Sequence, residues 1–442
     1  MGRKFIGKFT LLFLFIHSTA FGTTLEEALI TALDTHPAID ADEAAAKASD
    51  IDIDTARSGY FPSLDILPST LGYQRYKYNQ KLNPPLSFPL KGSATHTVAN
   101  PAIVLTQTIF DGLATPFAVE RAHMAAEAAY ATLGQTREQV AYNAIAAYVN
   151  VLAQQQLLKL GEENVKKHIE ILEKVKKRVD GGISTIADVY QVESRLDQAI
   201  AVKEKTAGQL DVAYANFIEA IGFQPNDVLE PPSLPQEPLL EGIEFILTRT
   251  SQNNPGVVVA INNLKIAEAT LDQTISPFLP TVRAQLEANT PIKNLQGTTG
   301  TQSSYTAQFV FSYNLFSGGK DISTRKAQWE RVKSAEKRVD VAKRTAAKVC
   351  RTAWSTYVSD EIQIEELEIT VEVNIKLQRA YERQFELVSR PLLDLLDAYV
   401  SYYRSKNDLI NAEAEKYTNH ALILASMGDL ICAVHRKRMR QG

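Results

Sequence analysis

The sequence predicts a mainly α-helical protein that carries four amphipathic β-strands and is built from two similar halves. Three observations lead to this fold class. Residues 320–390 contain neither glycine nor proline and are rich in residues that favour helix. Apolar and polar residues alternate with a period of two before each long helical stretch, as in strands with one apolar face. Pairs such as His36-Pro37 and Asn254-Pro255 recur at a constant offset in the numbering, which indicates an internal duplication.

The composition is that of an ordered protein and excludes several functional classes. The 442 residues are 45% hydrophobic and 22% charged, which excludes a disordered or collagen-like chain. With 47 basic and 51 acidic residues, the formal net charge is −4, and we expect no nucleic-acid partner. Two cysteines exclude a disulfide-dense scaffold and a thiolate-held metal cluster.

The first 22 residues have the pattern of a secretory signal peptide. The basic residues Arg3, Lys4 and Lys8 precede a short apolar run, and small residues stand at Ala20 and Gly22. The alternative is a membrane anchor, but the apolar run is too short to span a bilayer. We therefore expect an exported mature chain, in a compartment where cysteines can oxidise.

The rest of the chain divides into two repeats with a linker and a tail. Each repeat is predicted to contain a helix, a strand pair, a very long helix and a shorter helix. The strand pairs lie at about 63–110 and about 281–316. The segments are a first repeat (23–224), a proline-rich linker (225–240), a second repeat (241–432) and a short basic tail (433–442).

The long helices predict two helical hairpins. About 65 residues at ~1.5 Å each give a helix of ~100 Å, which suits a rod or a tube better than a globular core. The helices break near residues 181–185 and 388–391, and each break is followed by another helix that ends near Gly222 or Gly428. The two breaks would form the hairpin tips.

The strands are compatible with two environments. Tyr305, Phe309 and Phe311 alternate with polar residues such as Thr306 and Gln308, a pattern found in outer-membrane barrels. Four strands cannot close a barrel, whereas three chains would supply twelve. The alternative is a soluble β-hairpin that packs on helices, and the strand pattern alone does not decide between the two.

The chain resembles the TolC-like outer-membrane efflux protein family over nearly all of its mature length, from Leu25 to about Leu430. The resemblance rests on four motifs: Leu25-Glu26-Glu27-Ala28-Leu29 with His36-Pro37, Ala56 to Leu64, Thr106 to Gly112 and Leu392 to Ala398. The resemblance implies a homotrimer in the outer membrane, with a twelve-stranded transmembrane barrel that continues into a periplasmic α-helical tunnel. It also implies an exit duct for type I secretion or efflux, which docks on an inner-membrane ABC or other pump through a periplasmic adaptor protein.

The resemblance places the tunnel entrance at the second hairpin tip. Asp394 and Asp397 match the paired aspartates of the entrance constriction, and three chains would bring six carboxylates together there. Residues at i and i+3 share a helix face, so both could point inward; the alternative is an ordinary solvated acidic face. Arg390 and Asp188 match the residues that link neighbouring helix tips in the closed gate.

Three positions depart from the family pattern at this gate. Ala187, Phe385 and Pro391 stand where relatives carry hydroxyl groups. None of the three side chains can make a polar bond. We therefore expect the closed state to depend on Arg390 and on packing.

The two cysteines lie about 40 residues on either side of the second tip. An antiparallel hairpin would put Cys350 and Cys432 at similar heights, where they could form a disulfide. The alternative is two free buried thiols.

Other functional classes are less compatible with the sequence. Its seven histidines are scattered, and it has no H-E-x-x-H, G-x-S-x-G or glycine-rich phosphate loop. We therefore expect no enzyme activity, no catalytic residues, no metal and no cofactor. A periplasmic adaptor or a soluble coiled-coil scaffold would not require a duplication with a strand pair in each half.

Overall fold

A computed structural model describes most of the chain. The described residues are 24–68, 71–80, 90–225, 229–290, 292–295, 298–301, 303–387 and 390–433. The predicted signal peptide, nearly all of the basic tail and residues 388–389 of the second tip lie outside the described residues.

The described part of the first half contains four α-helices and four strand segments. The predicted first helix is two helices, because Pro37 cannot donate the backbone hydrogen bond that would continue α1. His36 caps α2 by accepting a hydrogen bond from the Ala38 amide at 3.2 Å. The elements are α1 (Leu25–Thr35), α2 (Pro37–Arg57), β1 (Ser63–Leu67), β2 (Leu71–Gln80), β3 (Leu90–Ala99), β4 (Ala102–Phe110), α3 (Ala114–Asp180) and α4 (Ile186–Ile221).

The second half has the same order after a short extra helix. Asn254 caps α7 as His36 caps α2, again with proline at the first helical position. The elements are α5 (Glu237–Leu240), α6 (Ile243–Asn253), α7 (Pro255–Gln273), β5 (Thr281–Asn289), β6 (Ile292–Leu295), β7 (Thr298–Thr301), β8 (Ser304–Ser312), α8 (Lys320–Glu386) and α9 (Leu392–Ser426).

Element bounds recur between the halves at two offsets in the numbering. Helix α1 spans Leu25–Thr35 and α6 spans Ile243–Asn253, so the offset is 218 residues at both ends. The long helix α3 spans Ala114–Asp180 and α8 spans Lys320–Glu386, so the offset is 206 residues at both ends. Both long helices contain 67 residues, which corresponds to ~100 Å.

The eight described strand segments form two antiparallel sheets, and the chain crosses both sheets four times. The segments pair in two four-stranded sheets, ordered β1-β4-β5-β8 and β2-β3-β6-β7. Each predicted strand is thus divided in two, and Pro68 and Pro101 stand at two of the divisions, where a residue without an N–H interrupts the ladder. The strands β1 and β8 form the edges of the first sheet, and β2 and β7 form those of the second.

The helices form one layer that is four helices wide. Near the strands, the order is α2-α3-α7-α8, and near the hairpin tips it is α4-α3-α9-α8. The two glycines that end the short hairpin helices are in the left-handed conformation, with φ of 96° at Gly222 and 68° at Gly428. A Cβ at Gly428 would lie 2.6 Å from the Asn253 carbonyl oxygen, so only glycine fits there.

Candidate functional site at the hairpin tips

The candidate site lies where the two helical hairpins end. In the first hairpin, α3 stops at Asp180, and Gly182 turns the chain with a φ of 74° before α4 begins. In the second hairpin, α8 stops at Glu386, and Pro391 is the N-cap residue of α9. Proline at that position cannot cap α9 with a side-chain oxygen, so no side chain fulfils this role.

Asp188 is engaged within its own hairpin. Its carboxylate accepts hydrogen bonds from the Thr185 amide at 2.8 Å and from the Thr185 hydroxyl at 3.0 Å. This arrangement is a capping box that stabilises the first turn of α4. Ala187, in the same turn, is exposed.

Arg390 is engaged within the second hairpin. Its Nη1 donates to the Asp394 carboxylate at 3.1 Å, and its Nε donates to Gln384 Oε1 at 3.0 Å. The guanidinium lies 4.2 Å from the centre of the Tyr381 ring. The two predicted gate-link residues, Arg390 and Asp188, therefore have separate partners in the single chain.

Asp394 and Asp397 project from the first turns of α9, and each lies beside an arginine. Asp397 Oδ1 is 3.4 Å from Arg195 Nη2 on α4, while Asp394 pairs with Arg390. The side chains of Asp397 and Asp394 remain 59% and 41% exposed. The carboxylates can therefore contribute to the surface of the tip, but their charges are partly compensated within the chain.

Two further contacts that the sequence did not predict join the hairpins to each other. Arg178 of α3 donates from Nη1 to the Phe385 carbonyl oxygen at 2.8 Å, and its guanidinium lies 4.1 Å from the Phe385 ring centre. Lys174 of α3 pairs with Glu386 of α8 at 2.9 Å. The partners are far apart in sequence, so no local pattern could have identified them.

An apolar cluster supports these contacts. Phe385 is 4% exposed and packs in it with residues of all four helices. The cluster contains Ile171, Val175, Val189, Val192, Phe385, Leu392, Leu395, Leu396 and Tyr399. The Tyr399 hydroxyl donates to the Glu382 carboxylate, and burial together with this hydrogen bond raises the pKa of Tyr399.

A buried histidine borders this cluster. The rings of His168 and Tyr399 meet edge to face, and Nδ1 of His168 lies 2.9 Å from the Asn164 carbonyl oxygen. Burial lowers the pKa of His168, so the neutral ring is favoured.

The cysteines are both free thiols. Cys350 is fully buried, and its Sγ accepts a hydrogen bond from Thr250 Oγ1 at 3.5 Å, whereas Cys432 is exposed. The disulfide considered from the sequence is not formed: Cys350 lies within α8, whereas Cys432 lies beyond the end of α9 at Ser426 and the positive-φ turn at Gly428. Burial raises the pKa of Cys350.

The described residues provide neither a metal-ligand cluster nor a membrane-crossing helix. They include no group of three or more His, Cys, Asp or Glu side chains that could hold a metal ion. Among the described helices, none combines the length and apolar character that crossing a membrane requires.

Comparison with known proteins identifies relatives along most of the chain. The family described as "Outer membrane efflux protein" matches residues 28–223 and 246–429. The chain is 23% identical to the outer membrane efflux protein BepC of Brucella suis, over 92% of this chain and 84% of BepC. It is also 23% identical to the outer membrane protein TolC of Escherichia coli, over 74% of this chain and 69% of TolC.

Solved structures share the fold. The outer membrane channel CmeC of Campylobacter jejuni superposes with a TM-score of 0.74 at 12% identity, covering 92% of this chain and 86% of CmeC. The outer membrane protein VceC of Vibrio cholerae superposes with a TM-score of 0.72 at 14% identity, covering 91% of this chain and 96% of VceC. The two matched segments include most of this chain, which therefore belongs to the outer membrane efflux protein family, a family of transport channels and not of enzymes.

Proposed function

We propose that three copies of this chain form an outer-membrane channel that serves as the exit duct of a tripartite transport system. The observation that carries this proposal is the open four-stranded sheet with free edges at β1 and β8. Free strand edges are not tolerated in the hydrocarbon of a membrane. Pairing β8 and β7 of one copy with β1 and β2 of the next leaves no edge in either sheet and closes a barrel of twelve strands.

The exposed apolar face of the strands supports a membrane location. Tyr305, Phe309 and Phe311 of β8 are largely exposed in the single chain, as are Leu64 and Ile66 of β1. Together with the exposed Ile103 and Leu286 of the two strands between them, these side chains would form an unusually large apolar patch on a soluble protein. Lipid contact accounts for them.

The proposed duct passes its substrate without chemical change. Substrate is delivered by an inner-membrane pump through a periplasmic adaptor protein, and it leaves through the tunnel that the long helices enclose. The proposal covers type I secretion and small-molecule efflux alike, because a passive duct requires no tight recognition site.

The hairpin tips are the proposed entrance, with Asp394 and Asp397 at its constriction. Three copies would bring six carboxylates to this level, and a negative ring favours the entry of cations. Arg390 and Arg195 lie beside these carboxylates, so we expect a moderate rather than a strong cation preference.

Planar-bilayer conductance of the detergent-purified protein tests both parts of the proposal. We expect a small cation-selective conductance that loses selectivity in the Asp394→Ala/Asp397→Ala variant. Asp408→Ala, on α9 away from the tip, is the matched control and should behave as the unmodified protein. Folded protein that never inserts would refute the channel, whereas unchanged selectivity in the double variant would refute the placement of the constriction.

A further inference from the structure

A groove beside the proline-rich linker has the dimensions of a small-molecule site. Helix α9 lies between α3 and α8 in the layer, and side chains of all three helices line the groove. Residues 231–234 of the linker complete its lining. The volume is about 440 Å³, within the ~300–1,000 Å³ that such sites occupy. The groove lies within one chain, so a ligand bound there would not depend on the proposed trimer.

Apolar side chains make up most of the surface of this groove. Leu152 of α3, Ile364 of α8, Ile410 of α9 and Leu234 of the linker are among them. Small-molecule sites combine walls of this kind with a few polar groups that fix the orientation of the ligand. The polar groups of the groove therefore indicate which class of ligand it would take.

One carboxylate in the groove lacks a partner. Glu413 of α9 is half-buried, and it makes no hydrogen bond or ion pair with any residue that the structure describes. Burial raises the pKa of Glu413, while the more distant charges of Lys406 and Glu368 act on it in opposite directions. The ionised carboxylate is therefore partly removed from water without a counter-charge in contact with it.

The basic side chains of the groove are already engaged. Lys416 Nζ pairs with Glu361 at 3.0 Å and lies 5.5 Å from the centre of the Tyr357 ring. His420 Nε2 donates a 3.0 Å hydrogen bond to the Pro235 carbonyl oxygen. Burial lowers the pKa of His420 to about 4, so its ring is neutral near pH 7. The groove consequently favours a cationic ligand over an anionic one.

We propose that this groove binds a monovalent organic cation with an apolar body, whose charged nitrogen lies beside the Glu413 carboxylate. The apolar body would contact Ile364 and Ile410. Tyr417 also lines the groove, and an aromatic ring attracts an ammonium group within about 6 Å of its centre. The contact of Lys416 with the Tyr357 ring is an instance of this attraction in the same groove. The site goes beyond the proposed duct, which requires no tight recognition of its substrate.

Isothermal titration calorimetry in non-ionic detergent tests the site with benzyltriethylammonium. We expect saturable binding to the unmodified protein. Glu413→Gln should weaken it about tenfold, because a partly desolvated ion pair is stronger than an exposed one. Glu415→Gln is the matched control and should bind as the unmodified protein does, since Glu415 is exposed and projects about 200° around α9 from Glu413. Phenylmethanesulfonate, an anion with a similar aromatic ring, should not bind.

A second variant tests the same charge and leaves Glu413 in place. Gln156 of α3 is exposed and lines the groove, so replacing it should not disturb the core. In Gln156→Lys, the new ammonium group would supply the missing counter-charge and compete with the ligand. We expect it to weaken binding as Glu413→Gln does. Gln156→Met, of similar length and without charge, is its control and should retain binding.

Three results would overturn the proposal. Absence of saturable binding to the unmodified protein would show that the groove is not a cation site. Equal affinity of Glu413→Gln and the unmodified protein would place the cation elsewhere. Equal affinity for phenylmethanesulfonate would show that apolar contact and not charge selects the ligand. A protein that fails these tests and still conducts in planar bilayers would refute the site alone and leave the proposed channel intact.

Discussion

Removing the Arg178 side chain should loosen the contact between the two hairpin tips. Its guanidinium donates a 2.8 Å hydrogen bond to the Phe385 carbonyl oxygen and lies 4.1 Å from the Phe385 ring centre. A hydrogen bond from a charged donor contributes about 1.5 kcal/mol at the low end of its range, and a cation–π contact at a partly exposed site adds ~0.5 kcal/mol. Arg178→Met retains the apolar stem and removes both contacts. We therefore expect the free energy that holds the tips together to fall by about 2 kcal/mol.

Hydrogen exchange measured by mass spectrometry on the detergent-purified protein can detect this change. A loss of ~2 kcal/mol corresponds to an opening equilibrium about 30-fold larger, and amide exchange from locally opened states scales with that equilibrium. Peptides at the end of α8 and the start of α9 should therefore exchange about 30-fold faster in Arg178→Met. Peptides of α2 and α7, far from the tips, should not change.

Two further variants serve as controls for Arg178→Met. Lys177→Met changes the adjacent exposed position and should leave exchange at the tip as in the unmodified protein. Arg178→Lys retains the charge without the planar guanidinium and should give an intermediate rate. If Arg178→Met leaves exchange at the end of α8 within about twofold of the unmodified protein, contrary to the ~30-fold expected from the energies above, Arg178 does not hold the hairpins together.

Three other substitutions should change stability, as measured by thermal unfolding. Burial lowers the pKa of His420 to about 4 from its ordinary 6.5. As the pH falls from 6.5 towards 4, the unfolded state binds a proton that the folded state does not, so stability is lost over this range. His420→Gln should reduce this loss. Tyr148→Phe removes a 2.7 Å hydrogen bond to the Glu230 carbonyl oxygen and should cost about 1 kcal/mol. Gly428→Ala should destabilise by ~1–3 kcal/mol, because its φ is positive and the new Cβ would meet the Asn253 carbonyl oxygen.

Most of the fold could be predicted from local sequence signals. A stretch without glycine or proline predicted α8, which ends at Glu386. Alternation with period two predicted β1, β4, β5 and β8, but not the second sheet into which the ladder divides. That division depends on where the ladder is interrupted, and Pro68 and Pro101 were visible signals of it.

The candidate site could be predicted only in part, because its contacts depend on tertiary structure. The sequence identified Asp394 and Asp397 as carboxylates on neighbouring turns of one helix. It could not show that Arg195 of another hairpin approaches one of them, since 202 residues separate the pair. The capping role of Asp188, in contrast, had a local signal, because Thr185 stands three residues before it.

The two hairpin tips remain in contact although residue 385, a phenylalanine, has no side-chain hydroxyl. A tyrosine hydroxyl at this position would require a polar partner, and Oδ2 of Asp188 already accepts two hydrogen bonds from Thr185. Phenylalanine instead buries its ring in the apolar cluster and presents one face to Arg178. The backbone carbonyl of the same residue accepts a hydrogen bond from that guanidinium. Both interactions of Arg178 therefore converge on one residue, so substituting Arg178 should affect the tips more than removing any single carboxylate near Arg390.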